Sequence, residues 1–136
     1  LGAPTDEQRD VLMPINRKWP LAELLSACKE FERSLKRGER FTFEYVMLRD
    51  VNDSDEHARR LANLLNRHEL RVKVNLIHNA AEPLPYHPSS RRRVDAFKSI
   101  LEAKGIPAFV RRPRGQDIFA ACGQLAARRE ANAAQV

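Results

Sequence analysis

The stretch Phe41-Thr42-Phe43-Glu44-Tyr45-Val46-Met47-Leu48, followed by Arg49-Asp50-Val51-Asn52-Asp53-Ser54, decides the fold. Aromatic and β-branched residues crowd the first run, which has charged residues at its borders, and this composition predicts a buried strand. Asn52-Asp53-Ser54 then offers cap residues for a helix that carries Ala58, Leu61, Ala62 and Leu65 on one face. The same order recurs downstream. Val72 to Ile77 alternates Val72, Val74 and Leu76 against Lys73 and Asn75, which predicts a second strand. A loop over residues 78–88 holds Pro83, Pro85 and Pro88. Ser89 or Ser90 then caps a helix with Val94, Phe97, Ile100 and Leu101, closed by Gly105. Pro107 to Val110 opens a third strand.

Upstream, Thr5 followed by Asp6-Glu7 predicts an N-cap with acids in the first turn of a short helix that Pro14 ends. Pro20 suits the first turn of a second helix, with Leu21, Leu24, Leu25, Cys28, Phe31 and Leu35 at helical spacing and Gly38 as its stop. Ile118 to Arg128 predicts a last helix, and residues 129–136 a frayed tail. Strands separated by helices imply parallel pairing through crossovers. Three parallel strands are few for a sheet that is normally covered on both faces. The expected architecture is therefore α/β, about three parallel strands with flanking helices, forming part of a larger barrel or open sheet over residues 1–128.

The chain has 136 residues, 43% of them hydrophobic and 31% charged, a composition of folded rather than disordered proteins. No apolar run approaches the ~18 residues of a membrane span, and Leu1-Gly2-Ala3-Pro4-Thr5-Asp6 lacks the pattern of a signal peptide. A cytoplasmic location without membrane contact is the expectation. The cysteines Cys28 and Cys122 are too few for a disulfide framework or a four-cysteine metal site. No metal site is expected from these residues. Net charge is +6, unevenly placed: residues 1–90 hold 14 basic and 14 acidic side chains, residues 91–136 hold 10 and 4. Such asymmetry points to a polyanionic partner, or to no more than a solvated basic face.

Function in such architectures collects in loops at the carboxyl ends of strands. After the first predicted strand, Asp50 and Asp53 are explained by helix-cap chemistry. After the second come His78 and Asn79. The asparagine offers an acceptor and a donor to a small polar ligand, whereas His78, without a partner at metal spacing, suits a partly exposed position. His57 and His68 fall on or beside a helix and suggest no chemistry. After the third come Arg111, Arg112 and Arg114, then Ala120-Ala121-Cys122-Gly123-Gln124. Nearby guanidinium groups would favour a Cys122 thiolate and so a nucleophile; a small buried hydrophobe is the competing reading. Cys28, among Leu24, Leu25 and Phe31, fits a core. There is no glycine-rich phosphate loop and no His-Glu metal helix.

Several runs together resemble one family: Pro14-Ile15-Asn16-Arg17-Lys18, Phe43-Glu44-Tyr45-Val46-Met47-Leu48, Val51-Asn52-Asp53-Ser54, Lys73-Val74-Asn75-Leu76-Ile77, Arg114-Gly115-Gln116-Asp117-Ile118 and Ala120-Ala121-Cys122-Gly123-Gln124-Leu125. They resemble the C-terminal part of the radical S-adenosylmethionine RNA methyltransferases that methylate adenine at C2. The C8 methyltransferases of antibiotic resistance are close relatives. The resemblance implies the C-terminal portion of a partial (β/α)6 barrel and an enzyme acting on rRNA or tRNA with an electron donor. It also implies S-adenosylmethionine and a [4Fe–4S] cluster as cofactors, which carry the hard chemistry. Cys122 resembles the cysteine that first accepts a methyl group. A 5′-deoxyadenosyl radical then takes a hydrogen from that methyl, and the carbon radical adds to the adenine. Asn79 resembles an asparagine that helps bind S-adenosylmethionine, and Arg111, Arg112 and Arg114 would lie near RNA or cofactor.

The chain departs from the family pattern in three respects. A cluster needs three cysteines and these residues hold two, so the cluster loop and the second catalytic cysteine lie outside them. Leu1-Gly2-Ala3-Pro4 stands where the family tends to show Ser-Leu-His-Ala-Pro. Asn75-Leu76-Ile77-His78 replaces Asn-Leu-Ile-Pro, with a loop one residue short. The expectation is a part of such an enzyme that does not turn over alone and is marginally stable. A non-catalytic basic RNA-binding module is the alternative.

Overall fold

In a computed structural model, which describes residues 1–77 and 85–111, the elements run in the expected order. They are α1 (Asp6–Leu12), a 3-10 turn (Pro14–Arg17), α2 (Leu21–Glu32), β1 (Phe41–Val46), α3 (Asp55–Arg67), β2 (Val72–Ile77), α4 (Arg91–Ala103) and β3 (Ala108–Val110). The strands form one parallel sheet in the order β1-β2-β3. Phe43 lies opposite Val74 and Val74 opposite Ala108, so a row of apolar side chains crosses the sheet on one face. The expected last helix and the tail lie outside the described residues.

That face is the core. Phe43, Tyr45, Met47, Val72, Val74, Leu76 and Ala108 pack against Ala58, Leu61, Ala62 and Leu65 of α3 and Val94, Phe97 and Leu101 of α4, with Leu25 of α2. Strand alternation puts every second residue there, and the 3.6-residue period of the helices aligns their stripes with it. Tyr45 and Phe97 rings meet at 5.3 Å. The opposite face carries Thr42, Glu44, Val46, Lys73, Asn75, Ile77 and Phe109, and is exposed or half-buried throughout. Among the described residues the helices with core stripes cover one side of the sheet, and three parallel strands with flanking helices match the expected α/β architecture.

Caps set the helix starts. Thr5, Ser54 and Ser90 side chains accept from Gln8, His57 and Arg93 backbone N–H groups, so Ser90, not Ser89, opens α4. Gly105 takes a φ of 81° just beyond α4, the left-handed turn glycine permits. Two boundaries differ from expectation. Helix α2 stops at Glu32 rather than at Gly38, and Phe31 is exposed. The Ser34 hydroxyl donates to the Phe31 carbonyl at 2.7 Å, competing for a helical acceptor, and Gly38 serves a separate turn closed by Glu39 N–H on Lys36. Strand β1 ends at Val46 rather than Leu48, because Asn52 captures the Leu48 N–H.

Ahead of α2, the buried Arg9 guanidinium donates to the Leu1 carbonyl at 3.1 Å, the Trp19 carbonyl at 3.0 Å and the Asn16 side chain. Asn16 in turn donates to Asp10 at 2.6 Å. The Pro14-Ile15-Asn16-Arg17 motif thus acts here as a structural clamp between α1 and the chain on either side of it.

Candidate functional site

The described part of the candidate site lies at the carboxyl ends of the strands, where α/β architectures carry their chemistry. The loop after β1 is built on Asn52, which is fully buried. Its amide donates to the carbonyls of Val46 at 2.8 Å and Gly2 at 2.9 Å, and its Oδ1 accepts from Leu48 N–H at 2.7 Å. The Tyr45 hydroxyl donates to the Asn52 carbonyl at 2.9 Å, and burial pushes that phenol's pKa up, with Asp53 adding to the effect. Every polar atom of the asparagine amide is used, as burial requires.

Asp53 is also buried, and it does not cap α3. Its carboxylate accepts from the Asp50 N–H at 3.1 Å and the Ser89 hydroxyl at 2.7 Å. Asp50 sits at φ 58°, a left-handed conformation that aspartate tolerates better than most residues. The Arg49 N–H donates to the His87 carbonyl at 2.8 Å, and Leu48 bridges Pro88. The segment leading into α4 is thereby strapped to the exit of β1. The helix-cap explanation of Asp50 and Asp53 is corrected: Ser54 caps, while Asp53 joins two loops.

His57 also does more than expected. Its Nδ1 lies 3.3 Å from the Ser54 N–H and 2.6 Å from the Ser54 Oγ, completing a reciprocal cap. Its Nε2 is 3.1 Å from the Gln8 amide nitrogen, which donates to the Val51 carbonyl at 2.6 Å. Burial, then Arg60, lowers the imidazole pKa, against Asp53 and Glu56, which raise it. Nothing in a histidine at the third position of a helical pattern signals this, since the Gln8 contact spans 49 positions of sequence.

Arg111 leaves β3 with its N–H on the Leu76 carbonyl at 2.9 Å. Its guanidinium donates to Glu44 Oε1 at 2.7 Å, reaching past β2 to β1 across the open face. Glu44 was not singled out from sequence; its exposed position in the β1 alternation was the available signal. The other expected site residues, His78, Asn79, Arg112, Arg114 and Cys122, lie outside the described residues. Cys28 is half-buried beside the core, and burial pushes its thiol pKa up, the behaviour of an unreactive cysteine.

No family model matches the chain. It is 54% identical over 128 residues to a dual-specificity RNA methyltransferase RlmN of Anaeromyxobacter sp. (strain Fw109-5), with 93% of this chain and 33% of that protein covered. It is 48% identical over 134 residues to RlmN 2 of Myxococcus xanthus, with 98% and 34% covered. The crystal structure of a radical SAM methyltransferase from Sphaerobacter thermophilus superposes with a TM-score of 0.84 at 47% identity, covering 91% of this chain and 36% of that one. The chain is thus similar to the C-terminal part of proteins named RNA methyltransferases and to a radical SAM methyltransferase. It spans about a third of the length of the curated relatives it matches.

That similarity implies S-adenosylmethionine and a cluster, and the donor set can be tested for the latter. Three thiolates are needed to hold a cluster with one open iron. The chain has two cysteines, and the described one, Cys28, has its thiol pKa raised on α2. The residues in hand do not fit the cluster. Among the described residues no group of three His, Cys, Asp or Glu is placed to hold a metal ion, and no helix is long and apolar enough to cross a membrane.

Proposed function

We propose that the chain supplies the methyl-carrying end of an RNA methyltransferase that acts on adenine C2 in rRNA or tRNA. Cys122 is the nucleophile of the first step. Its thiolate forms a new S–CH3 bond to the donor methyl of S-adenosylmethionine as the donor's sulfonium C–S bond breaks, releasing S-adenosylhomocysteine. Asn79, two residues beyond the end of β2 in sequence, helps hold that donor, and Arg111, Arg112 and Arg114 face the RNA or the donor. The cluster ligands and the electron donor come from outside these 136 residues, so the chain alone does not turn over.

The observation that carries this reading is the similarity over more than nine-tenths of the chain to relatives named RNA methyltransferases, at 54% identity in one of them. The parallel sheet supports it, because Asn79 and Cys122 follow the carboxyl ends of β2 and β3 in sequence. Association with an N-terminal half that carries a cluster loop tests it. The tryptic peptide containing Cys122 should then gain a single methyl group, and a Cys122→Ala variant should lose all methyl transfer to RNA. A full-length enzyme that still methylates RNA after Cys122→Ala sinks the assignment.

A further inference from the structure

The end of the sheet that carries the candidate site also carries an arginine cluster to which the reaction assigns nothing. Helix α4 begins Arg91-Arg92-Arg93, and no acidic residue stands in its first turn. Because α4 follows the carboxyl end of β2 and α3 follows that of β1, both helix starts lie on the rim at that end of the sheet. The rim is fixed in place. Ser89, just ahead of the cap, donates to buried Asp53, and Arg93 pairs with Asp55 of α3 at 2.6 Å.

The three arginines differ in what they hold. Arg91 pairs along the helix with Asp95 at 3.1 Å, and Arg93 with Asp55. Arg92 is exposed and makes no ion pair among the described residues. It lines, with Asp55, Ser90, Arg93 and Ala96, an open cleft of about 390 Å³ between the starts of α3 and α4. A cation in the first turn also opposes the helix dipole, so the chain places this charge where its own backbone disfavours it.

We infer that Arg92, flanked by Arg91 and Arg93, forms a contact for the phosphodiester backbone of RNA on the rim of the sheet. This rests on the reading of the chain as part of an RNA methyltransferase. A guanidinium suits phosphate oxygens because its planar donors match them in pairs. A nucleic acid that brings a base to the carboxyl ends of the strands comes within reach of this rim. Such contacts set register without reading sequence. The contact therefore acts alike on every RNA.

The test uses the whole 136-residue chain and a fluorescently labelled tRNA transcript, with an unrelated RNA hairpin beside it, at several salt concentrations. Arg92→Glu should weaken binding of both RNAs about tenfold and reduce the slope of log affinity against log salt by about one. Arg92→Lys should stay close to the parent. Lys104→Glu makes the same charge change at the other end of α4, about 20 Å away for 13 residues, and should alter affinity less than twofold. Circular dichroism melts of each variant show that the fold is kept. Equal losses for Arg92→Glu and Lys104→Glu would reduce the effect to net charge and overturn the proposal, as would a loss confined to one RNA. A parent chain that binds no RNA fails earlier, at the reading beneath it, before any variant is compared.

Discussion

The Ser89 hydroxyl donates to the buried Asp53 carboxylate at 2.7 Å, joining the loop after β1 to the start of α4 across 36 residues of sequence. With Asp50 N–H on the other carboxylate oxygen, this single aspartate holds two loops of the candidate site at one spacing. A buried carboxylate that loses a partner bears an uncompensated desolvation cost, so the effect of breaking the bond exceeds what the bond contributes when intact.

Ser89→Ala is therefore expected to lower unfolding free energy by about 1–3 kcal/mol, the cost of an unsatisfied buried acceptor. Urea denaturation of the two proteins measures it. A midpoint unchanged from the parent would mean that water replaces the hydroxyl and that the two loops are not held by this contact.

Asn52→Ala removes three side-chain hydrogen bonds at once, to the Val46 and Gly2 carbonyls and from the Leu48 N–H. The loss should be at least about 2 kcal/mol, larger than that of Ser89→Ala, because several buried backbone groups are orphaned. Amide exchange of Leu48 should accelerate in parallel. Slow exchange at Leu48 in the variant would contradict the assignment of that loop to Asn52.

His57 makes stability depend on pH in a defined direction. Burial lowers its folded pKa below the ordinary 6.5, so the unfolded chain takes up a proton first as pH falls. The stability that neutral His57 contributes is present above about pH 6.5 and is lost on acidification until the folded value is passed. The difference in stability between the parent and His57→Gln should narrow over that window. A difference that stays constant from pH 7.5 to pH 5, a range of about two units around the histidine value, would contradict it.

Glu32 works at lower pH. Burial acts to raise its pKa, but the Arg71 backbone N–H and the Lys29 ammonium, 3.0 Å away, outweigh burial and hold the carboxyl below its ordinary 4.5. A depressed carboxylate contributes stability above 4.5 that disappears as pH falls through the folded value. Glu32→Gln should cost stability at pH 7 and approach the parent in acid. An equal cost at both ends would assign the effect to packing.

The pair of Arg111 and Glu44 should contribute little to folding. Their side chains are 60% and 54% exposed, and ion pairs of that exposure are worth about 0–1 kcal/mol. Glu44→Gln should leave the melting temperature within a few degrees of the parent, as a ΔΔG of that size implies. A large loss of stability would place the pair in the fold rather than at the site.

The strands and the α3 and α4 core stripes were legible because hydrophobic period and register need only local sequence. Phe43, Tyr45 and Leu76, or Leu61 and Leu65, announce which face they bury by spacing alone. The resemblance in motif order was likewise written in the chain, and the similarity to proteins named RNA methyltransferases agrees with it. Helix α2 was misjudged where a local competitor, the Ser34 hydroxyl on the Phe31 carbonyl, cut the period short.

By itself, then, the sequence determined the α/β alternation, the parallel sheet, the apolar stripes and the similarity to radical SAM RNA methyltransferases. Each depends on residues close along the chain or on a pattern carried from end to end. Only the tertiary structure decided that Asp53 clamps Ser89 instead of capping a helix, that His57 meets Gln8, and that Arg111 reaches Glu44. It also set Arg92 on the rim beside the strand ends. Those contacts join polar groups 36 to 67 residues apart. Polar pairing carries no period, so a partner is found only once packing of the core has brought the two groups together.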